Sequence, residues 1–270
     1  MTHSFDFSGQ AVFVAGGTDG INLGIADAFA AAGASVAVLS RNPDKVDAAV
    51  SRLLENGGKA IGFAADVRDY EAVAAALADA HMQVGDIDIL VSGAAGNFPA
   101  PAMGLSSNGF RTVIEIDLIG TFNVLRAAFE HLRKPGASII NISAPQSSIP
   151  MEMQIHACSA KAGVDMVTRV AALEWGPLGV RVNAVLPGPI SGTEGMARLA
   201  PTPDAEHVVA RSIPLGRYGT KQEIADCCLW LASPMASYVS GATIPVDGGW
   251  ALGGASAVYP DLRRLFSGQH

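Results

Sequence analysis

The sequence predicts an α/β fold, a parallel sheet covered by helices on both faces, and three observations carry that prediction. Short apolar runs alternate with longer segments of helical pattern from one end of the chain to the other. The runs are apolar throughout rather than at every second position, the pattern of strands buried on both sides. The composition agrees: 49% of the 270 residues are hydrophobic, only 6% aromatic and 16% charged, against about 25% charged in an ordinary soluble domain. So much small apolar surface implies a large core, extended by subunit contacts. No linker, repeat or low-complexity segment divides the chain, and residues 1–270 read as one domain of about seven strands.

Ala11–Ala15 is the first strand and ends in Gly16-Gly17. An Ala-rich helix over 20–32 follows and stops at Gly33. Ser35–Leu39 is the second strand, and Pro43-Asp44 opens a helix towards Gly57-Gly58, with Pro in a first turn and Gly past a last one. Lys59–Ala65 forms the third strand, before a helix from about Tyr70 to Met82, and Ile87–Val91 forms the fourth. Helical stretches across 106–134 lead to the strand Ser138–Ile142. A long helix from about Gln154 to Gly176 leads to the strand Val180–Leu186. The Pro/Gly-rich segment 187–212 reads as a loop too long for a mere connection, and it is assigned to covering a substrate. A last helix near 221–232 precedes the strand Ala242–Val246.

Charge and cysteine usage narrow the function classes. With Lys+Arg 18 against Asp+Glu 25, the formal net charge is −7, which argues against a nucleic-acid partner, since phosphate contacts need a basic face. No apolar run reaches the ~20 residues of a membrane span, and Met1–Gln10 lacks a basic region followed by an apolar one. The last residues, Ser267–His270, are no peroxisomal tripeptide. Cys158, Cys227 and Cys228 are odd in number and lack metal-ligand spacing, so no metal is expected and the thiols fit a reducing compartment. The chain reads as a cytoplasmic protein acting on a small molecule, with no membrane partner.

The turn after the first strand carries the first chemistry. Ala15-Gly16-Gly17-Thr18-Asp19-Gly20-Ile21 links that strand to a helix. Glycines there let the backbone turn tightly and approach a pyrophosphate seated on the helix N-terminus. The context, after a first strand and opening a first helix, makes this a Rossmann-type doubly wound domain and assigns Gly16, Thr18, Gly20 and Ile21 to a dinucleotide. The second strand ends in Ser40-Arg41, with no acid beside it. An acid there would bind the adenosine ribose 2′-hydroxyl, whereas Arg41 suits a 2′-phosphate, so the cofactor is read as NADP(H). Asp66-Val67 closes the third strand, where a carboxylate can accept from the adenine amino group or cap the next helix.

With these residues in hand, the chain resembles the short-chain dehydrogenase/reductase family. Gly16-x-x-x-Gly20, the Ala94-Ala95-Gly96 turn after strand four, Lys161 in the long helix and Pro187-Gly188 after strand six carry the resemblance. It covers nearly the whole chain, up to Asp247-Gly248-Gly249. It implies the strand order 3-2-1-4-5-6-7 and a homotetramer, with the helices near 106–134 and 154–176 at an interface. It also implies that Ala94, Ala95, Gly96, Pro187 and Gly188 border the cofactor, that Lys161 binds the nicotinamide ribose, and that Ile190 and Thr193 lie near the carboxamide.

The departures say more. The Tyr that stands four residues before the Lys in the family, as proton donor to a carbonyl, is Ala157; the partner Ser is Ala144; the structural Asn is Asp117. Neither alanine can move a proton. Ala95-Gly96-Asn97-Phe98, Ile116-Asp117, His156-Ala157-x-Ser159-Ala160-Lys161 and Pro187–Gly195 together resemble one branch, the peroxisomal-type 2,4-dienoyl-CoA reductases. One position departs from it: Asn22 stands where the phosphate loop has its third glycine, and Asn tolerates left-handed geometry better than other side chains.

Reduction of a conjugated thioester needs a hydride at the far end of the double bonds, support for the anion that forms, and a proton at carbon. The expectation is that Asp117 and Lys161 are catalytic, polarising a bound water that supplies the proton. The substrate is then acyl-CoA-like. Arg198, Arg211 and nearby Arg217 are either solvated or available to CoA phosphates. Two alternatives stand beside this reading: a carbonyl reductase with an atypical donor, and a catalytically silent nucleotide-binding subunit.

Overall fold

Each apolar run of the sequence forms a strand. The structure, a computed structural model, describes residues 5–55 and 58–253; the end expected for the second helix, at Gly57, and both chain termini lie outside them. Strands β1 (Ala11–Ala15), β2 (Ser35–Ser40), β3 (Lys59–Ala64), β4 (Ile87–Ser92), β5 (Ser138–Ile142), β6 (Arg181–Pro187) and β7 (Thr243–Val246) build one sheet. Its order is β3-β2-β1-β4-β5-β6-β7, every pair parallel. This is the order that the family resemblance implies.

Parallel strands need crossovers, and these are helical. The helices are α1 (Gly20–Ala31), α2 (Pro43–Glu55), α3 (Tyr70–Val84), α4 (Ser107–Val113), α5 (Gly120–Ala128), α6 (Ile155–Trp175), α7 (Glu194–Leu199), α8 (Pro203–Ser212) and α9 (Lys221–Ala232). Because side chains alternate across a strand, each central strand feeds two cores. Val12, Val14, Val36, Val38, Ile140 and Val185 pack with Ile25 and Phe29 of α1 and Ile224 of α9. Phe13, Leu39, Leu90, Ile139 and Val182 pack on the other face with Leu77 of α3, Val124 and Leu125 of α5 and Ala171 of α6. Double burial explains why these strands carry no polar alternation.

Two segments add to or depart from the sequence reading. The helical stretches expected across 106–134 are present as α4 and α5, but the sequence did not show that between them Ile114–Ile119 forms a π-helical turn, in which Gly120 N–H donates to the Glu115 carbonyl. The segment 187–212 is largely helix rather than loop. Thr193 and Thr202 cap α7 and α8, their hydroxyls accepting from the N–H of Met196 and Ala205. Asp204 and Glu206 then sit in the first turn of α8, where the helix dipole favours acids. Ala205 and Val209 of α8 bury with Met151, Ile213 and Trp250 in a third, smaller core. The Pro and Gly of this segment punctuate short helices and do not abolish them.

Asn22 also behaves differently from expectation. It lies inside α1 and Met153 is the one non-glycine at positive φ among the described residues, so left-handed tolerance is not what Asn supplies. Its side-chain amide instead donates to the Gly93 carbonyl at 2.7 Å. A Cβ on Gly93 would lie 2.3 Å from the Asn22 Oδ1. The missing side chain at 93 makes the space that Asn22 fills.

Candidate active site

The turns at the carboxyl ends of the strands enclose a cleft of about 650 Å³, where ligands of open α/β sheets bind. It gathers every residue assigned from the sequence: Gly16, Thr18, Gly20 and Ile21 after β1, Ser40 and Arg41 after β2, Asp66 and Val67 after β3, and Ala94, Ala95 and Gly96 after β4. Asp117 of the π turn, Lys161 of α6, and Pro187, Gly188, Ile190 and Thr193 after β6 complete it.

The nucleotide end is shaped for an extended phosphate. Gly16 has φ +79°, and a Cβ there would sit 2.8 Å from the backbone N and Cα of Ala94; the turns after β1 and β4 touch, so only glycine fits. Gly20 also has positive φ, +58°, with open space before it. The Asp19 carboxylate caps α1 by accepting from Gly20 N–H at 2.6 Å, and its other oxygen pairs with Lys45 Nζ at 2.8 Å. Asp66 does not cap α3, because Asp69 does so, accepting from Ala72 N–H. Asp66 is gripped by Arg68, with Nε–Oδ1 3.0 Å and Nη2–Oδ2 2.6 Å. That guanidinium holds its carboxyl below the ordinary carboxylate range. The free N-terminal N–H groups of α1 and the glycine cradle fit a dinucleotide pyrophosphate.

The opposite end holds one buried ion pair. Asp117 Oδ2 lies 3.2 Å from Lys161 Nζ, with side chains 2% and 9% exposed. Asp117 Oδ1 accepts from Gly96 N–H at 2.7 Å, which ties the π turn to the turn after β4. Lys161 Nζ donates to the Ile142 carbonyl at 3.0 Å, so an ammonium with three donors keeps one for the cleft. Ala144 and Ala157 line the cleft beside this pair. No hydroxyl stands at either position, and the pair is the ionisable chemistry of this end.

Gln154 and Lys45 line the cleft although the sequence did not single them out. Asn97 Nδ2 donates to Gln154 Oε1 at 2.6 Å, with Gln154 buried beside the left-handed Met153 (φ 63°). Arg198 of α7 reaches back to the Asn97 carbonyl at 3.0 Å and pairs with Glu194, so α7 is fastened across the cleft mouth. Arg217 is committed to Glu223 at 2.7 Å. His156 does not line the cleft; it is fully buried with its ring edge-on to Phe98, centroids 4.8 Å apart. Lys45 lies four residues past Arg41, and that spacing from an assigned cation is the signal that could have found it.

Residues 15–251 match a family model described as enoyl-(acyl carrier protein) reductase, a model of short-chain dehydrogenases. The chain belongs to the short-chain dehydrogenase/reductase family. Membership implies a nicotinamide dinucleotide in the cleft, and the glycine cradle accommodates one. Among the relatives of this short-chain dehydrogenase/reductase is the peroxisomal 2,4-dienoyl-CoA reductase of Rattus norvegicus, 46% identical over 242 residues, 89% of this chain and 83% of that protein. The enzyme of the same name from Danio rerio is 44% identical over 260 residues, 96% of this chain and 85% of that protein. A solved structure, the citronellol catabolism dehydrogenase AtuB of Pseudomonas aeruginosa PAO1, superposes with a TM-score of 0.81 at 36% identity, covering 93% of this chain and 98% of that one. No helix among the described residues is long and apolar enough to cross a membrane.

Proposed function

We propose that the chain is an NADPH-dependent reductase of a conjugated carbon–carbon double bond, acting on a 2,4-dienoyl-CoA. One observation carries this reading: a buried Asp117–Lys161 pair faces a cleft whose two hydroxyl positions are alanines. A carbonyl reductase needs an acid beside the ketone oxygen. A conjugated thioester needs instead an electropositive site for the developing anion and a proton at carbon. The names of the rat and zebrafish relatives point to the same chemistry.

When bound, the reduced nicotinamide supplies the hydride. Lys161 holds the ribose hydroxyls with its remaining donor and places a positive charge beside the anion. Asp117, fixed at both oxygens, orients a water that gives one proton to carbon, and the hydroxide left beside the Lys161 ammonium regains a proton from solvent. Arg41, exposed at the rim, meets the 2′-phosphate. The segment 187–212, with α7 strapped by Arg198 to Asn97, covers the acyl chain. With a net charge of −7, CoA gains no long-range attraction, and its phosphates depend on local cations.

The reading includes a homotetramer in the cytoplasm. Supporting the first, Ile119, Phe122, Met166, Val170 and Leu173 are exposed apolar side chains on the π turn, α5 and α6. Supporting the second, all three cysteines are free.

NADPH oxidation with 2,4-hexadienoyl-CoA, crotonyl-CoA and a simple β-ketoester side by side tests the function. Turnover of the dienoyl substrate alone is the expected result. Ketoester turnover would indicate a carbonyl reductase. Nucleotide binding with no turnover would indicate a silent subunit.

A further inference from the structure

The chain enters α6 through a strained residue followed by a buried amide with unused donors. Met153 holds its positive φ of 63° against the preference of any residue with a side chain. Its carbonyl accepts from Ala100 N–H at 2.9 Å, and the next residue, Gln154, takes the Asn97 amide on its Oε1 at 2.6 Å. The loop after β4 is thus fastened to the start of α6 at two adjacent points. Gln154 stands at the N-cap position, where a side-chain oxygen ordinarily takes a first-turn N–H, yet its side chain makes no cap bond. It is 3% exposed and lines the cleft together with Ala144, Ala157 and Lys161. Its Nε2, which carries two donors, makes no hydrogen bond among the described residues. A buried amide with idle donors is costly unless a ligand takes them.

We propose that Gln154 is a further catalytic residue, donating from Nε2 to the thioester oxygen of the bound dienoyl-CoA; the inference rests on the function proposed above. When hydride is taken up at the far end of the diene, an electron pair moves along the double bonds and the carbonyl π pair passes to oxygen. The dienolate that results carries much of its charge on that oxygen. A proton then arrives at carbon, the carbonyl re-forms, and a thioester with one carbon–carbon double bond remains. The conjugated system is extended, so the carbon that takes the hydride and the oxygen that takes the charge are separate places. The Asp117–Lys161 pair serves the proton, and Gln154 serves the oxygen. Neither Ala144 nor Ala157 offers a hydroxyl for that task. Asn97 fixes the orientation: because its Nδ2 donates, it meets the oxygen end of Gln154 and leaves the N–H end for the cleft. Asn97 is itself held through its carbonyl by Arg198. A donor fixed before the reaction stabilises the growing charge without having to reorient.

Steady-state reduction of 2,4-hexadienoyl-CoA by the whole protein, with NADPH affinity measured separately by fluorescence titration, tests this through two substitutions. Gln154→Met removes both the donor and the oxygen that Asn97 meets. Gln154→Glu keeps the shape and that oxygen, and puts a negative charge where the donor was. Both should lower kcat by ~10²-fold or more, the worth of an oxyanion donor, and Gln154→Glu should be the more damaging at neutral pH. KM for the acyl-CoA should change less than kcat, because the contact strengthens as the charge develops, and NADPH affinity should be retained. A residue that only fastened the loop would give the opposite order, with Gln154→Glu close to the unaltered protein and Gln154→Met impaired. That order overturns the inference, as does an unaltered kcat in Gln154→Glu. Should Gln154→Met fail to fold, Gln154→Glu decides alone, since it preserves the Asn97 contact. The proposed function fails separately, if the unaltered protein reduces no dienoyl-CoA, and the inference then falls with it.

Discussion

Replacing Asp117 by Asn removes one charge from the buried pair and little else. At the observed 3.2 Å, Coulomb's law with an effective dielectric near 20 gives about 5 kcal/mol of attraction. Breaking a buried pair on one side costs ~3–5 kcal/mol, because the remaining charge is stranded. The Asn oxygen can still accept from Gly96 N–H, so Asp117→Asn should destabilise by about 3 kcal/mol, the lower end of that range. Removing both charges in Asp117→Asn/Lys161→Met should recover part of this loss, read as the urea midpoint. Turnover behaves otherwise. With 2,4-hexadienoyl-CoA at a temperature where the variant is folded, Asp117→Asn should lower kcat by at least about tenfold, and by ~10²–10⁴-fold if it carries a full general acid–base contribution, while NADPH binding is retained. Neutralising Lys161 as well should not restore it. A folded Asp117→Asn enzyme turning over at the unaltered rate would refute the catalytic assignment and leave the pair a purely structural bridge between the π turn and α6.

Other expectations concern the frame around that pair. Arg41→Ala should cut the preference for NADPH over NADH by on the order of tenfold in steady-state kinetics; unchanged preference would contradict its assignment. Gly93→Ala puts a Cβ 2.3 Å from Asn22 Oδ1 and should destabilise by ~1–3 kcal/mol, with Asn22→Ala relieving part of the loss in a thermal melt. Glu223 is held down to about 2 by Arg217 and by Thr220 N–H. Its contribution to stability is therefore complete above its unfolded value near 4.5 and disappears as pH falls towards 2. Melting temperatures of the unaltered protein and Glu223→Gln should differ at neutral pH and converge near pH 2; a constant gap would exclude the charge as the cause.

Much of the fold was legible because its strands are buried on both faces. Val36, Val38 and Ile140 could not sit in solvent, and their spacing by helical segments left a parallel sheet as the way to pair them. The glycine turn was legible for a different reason, since Gly16 has no room for a Cβ against Ala94 and its residue type records that constraint. Asp117 and Lys161 stood out because charge is scarce in this chain. What escaped were relations between distant residues. Asn22 answers an absence at Gly93, 71 positions away, and Arg198 reaches Asn97 across 101 positions. Short helices such as α7 also escaped, since six residues are too few for a 3.6-residue period to show against Pro and Gly.

The π turn at Ile114–Ile119 is arithmetic as much as shape. Holding one residue more than an α-helical turn of equal span, it offsets everything before it from everything after it by one position, roughly 100° of rotation. Asp117 points at Lys161 while Val113 and Val124 both reach buried positions because the extra residue is there. A chain one residue shorter between 114 and 119 would close into continuous α-helix. It could satisfy the packing of α4 or that of α5, with the acid swung out of line. The geometry of the Asp117–Lys161 pair is thereby written in a residue count, and a single in-frame deletion that keeps both side chains should be more damaging than the loss of either one.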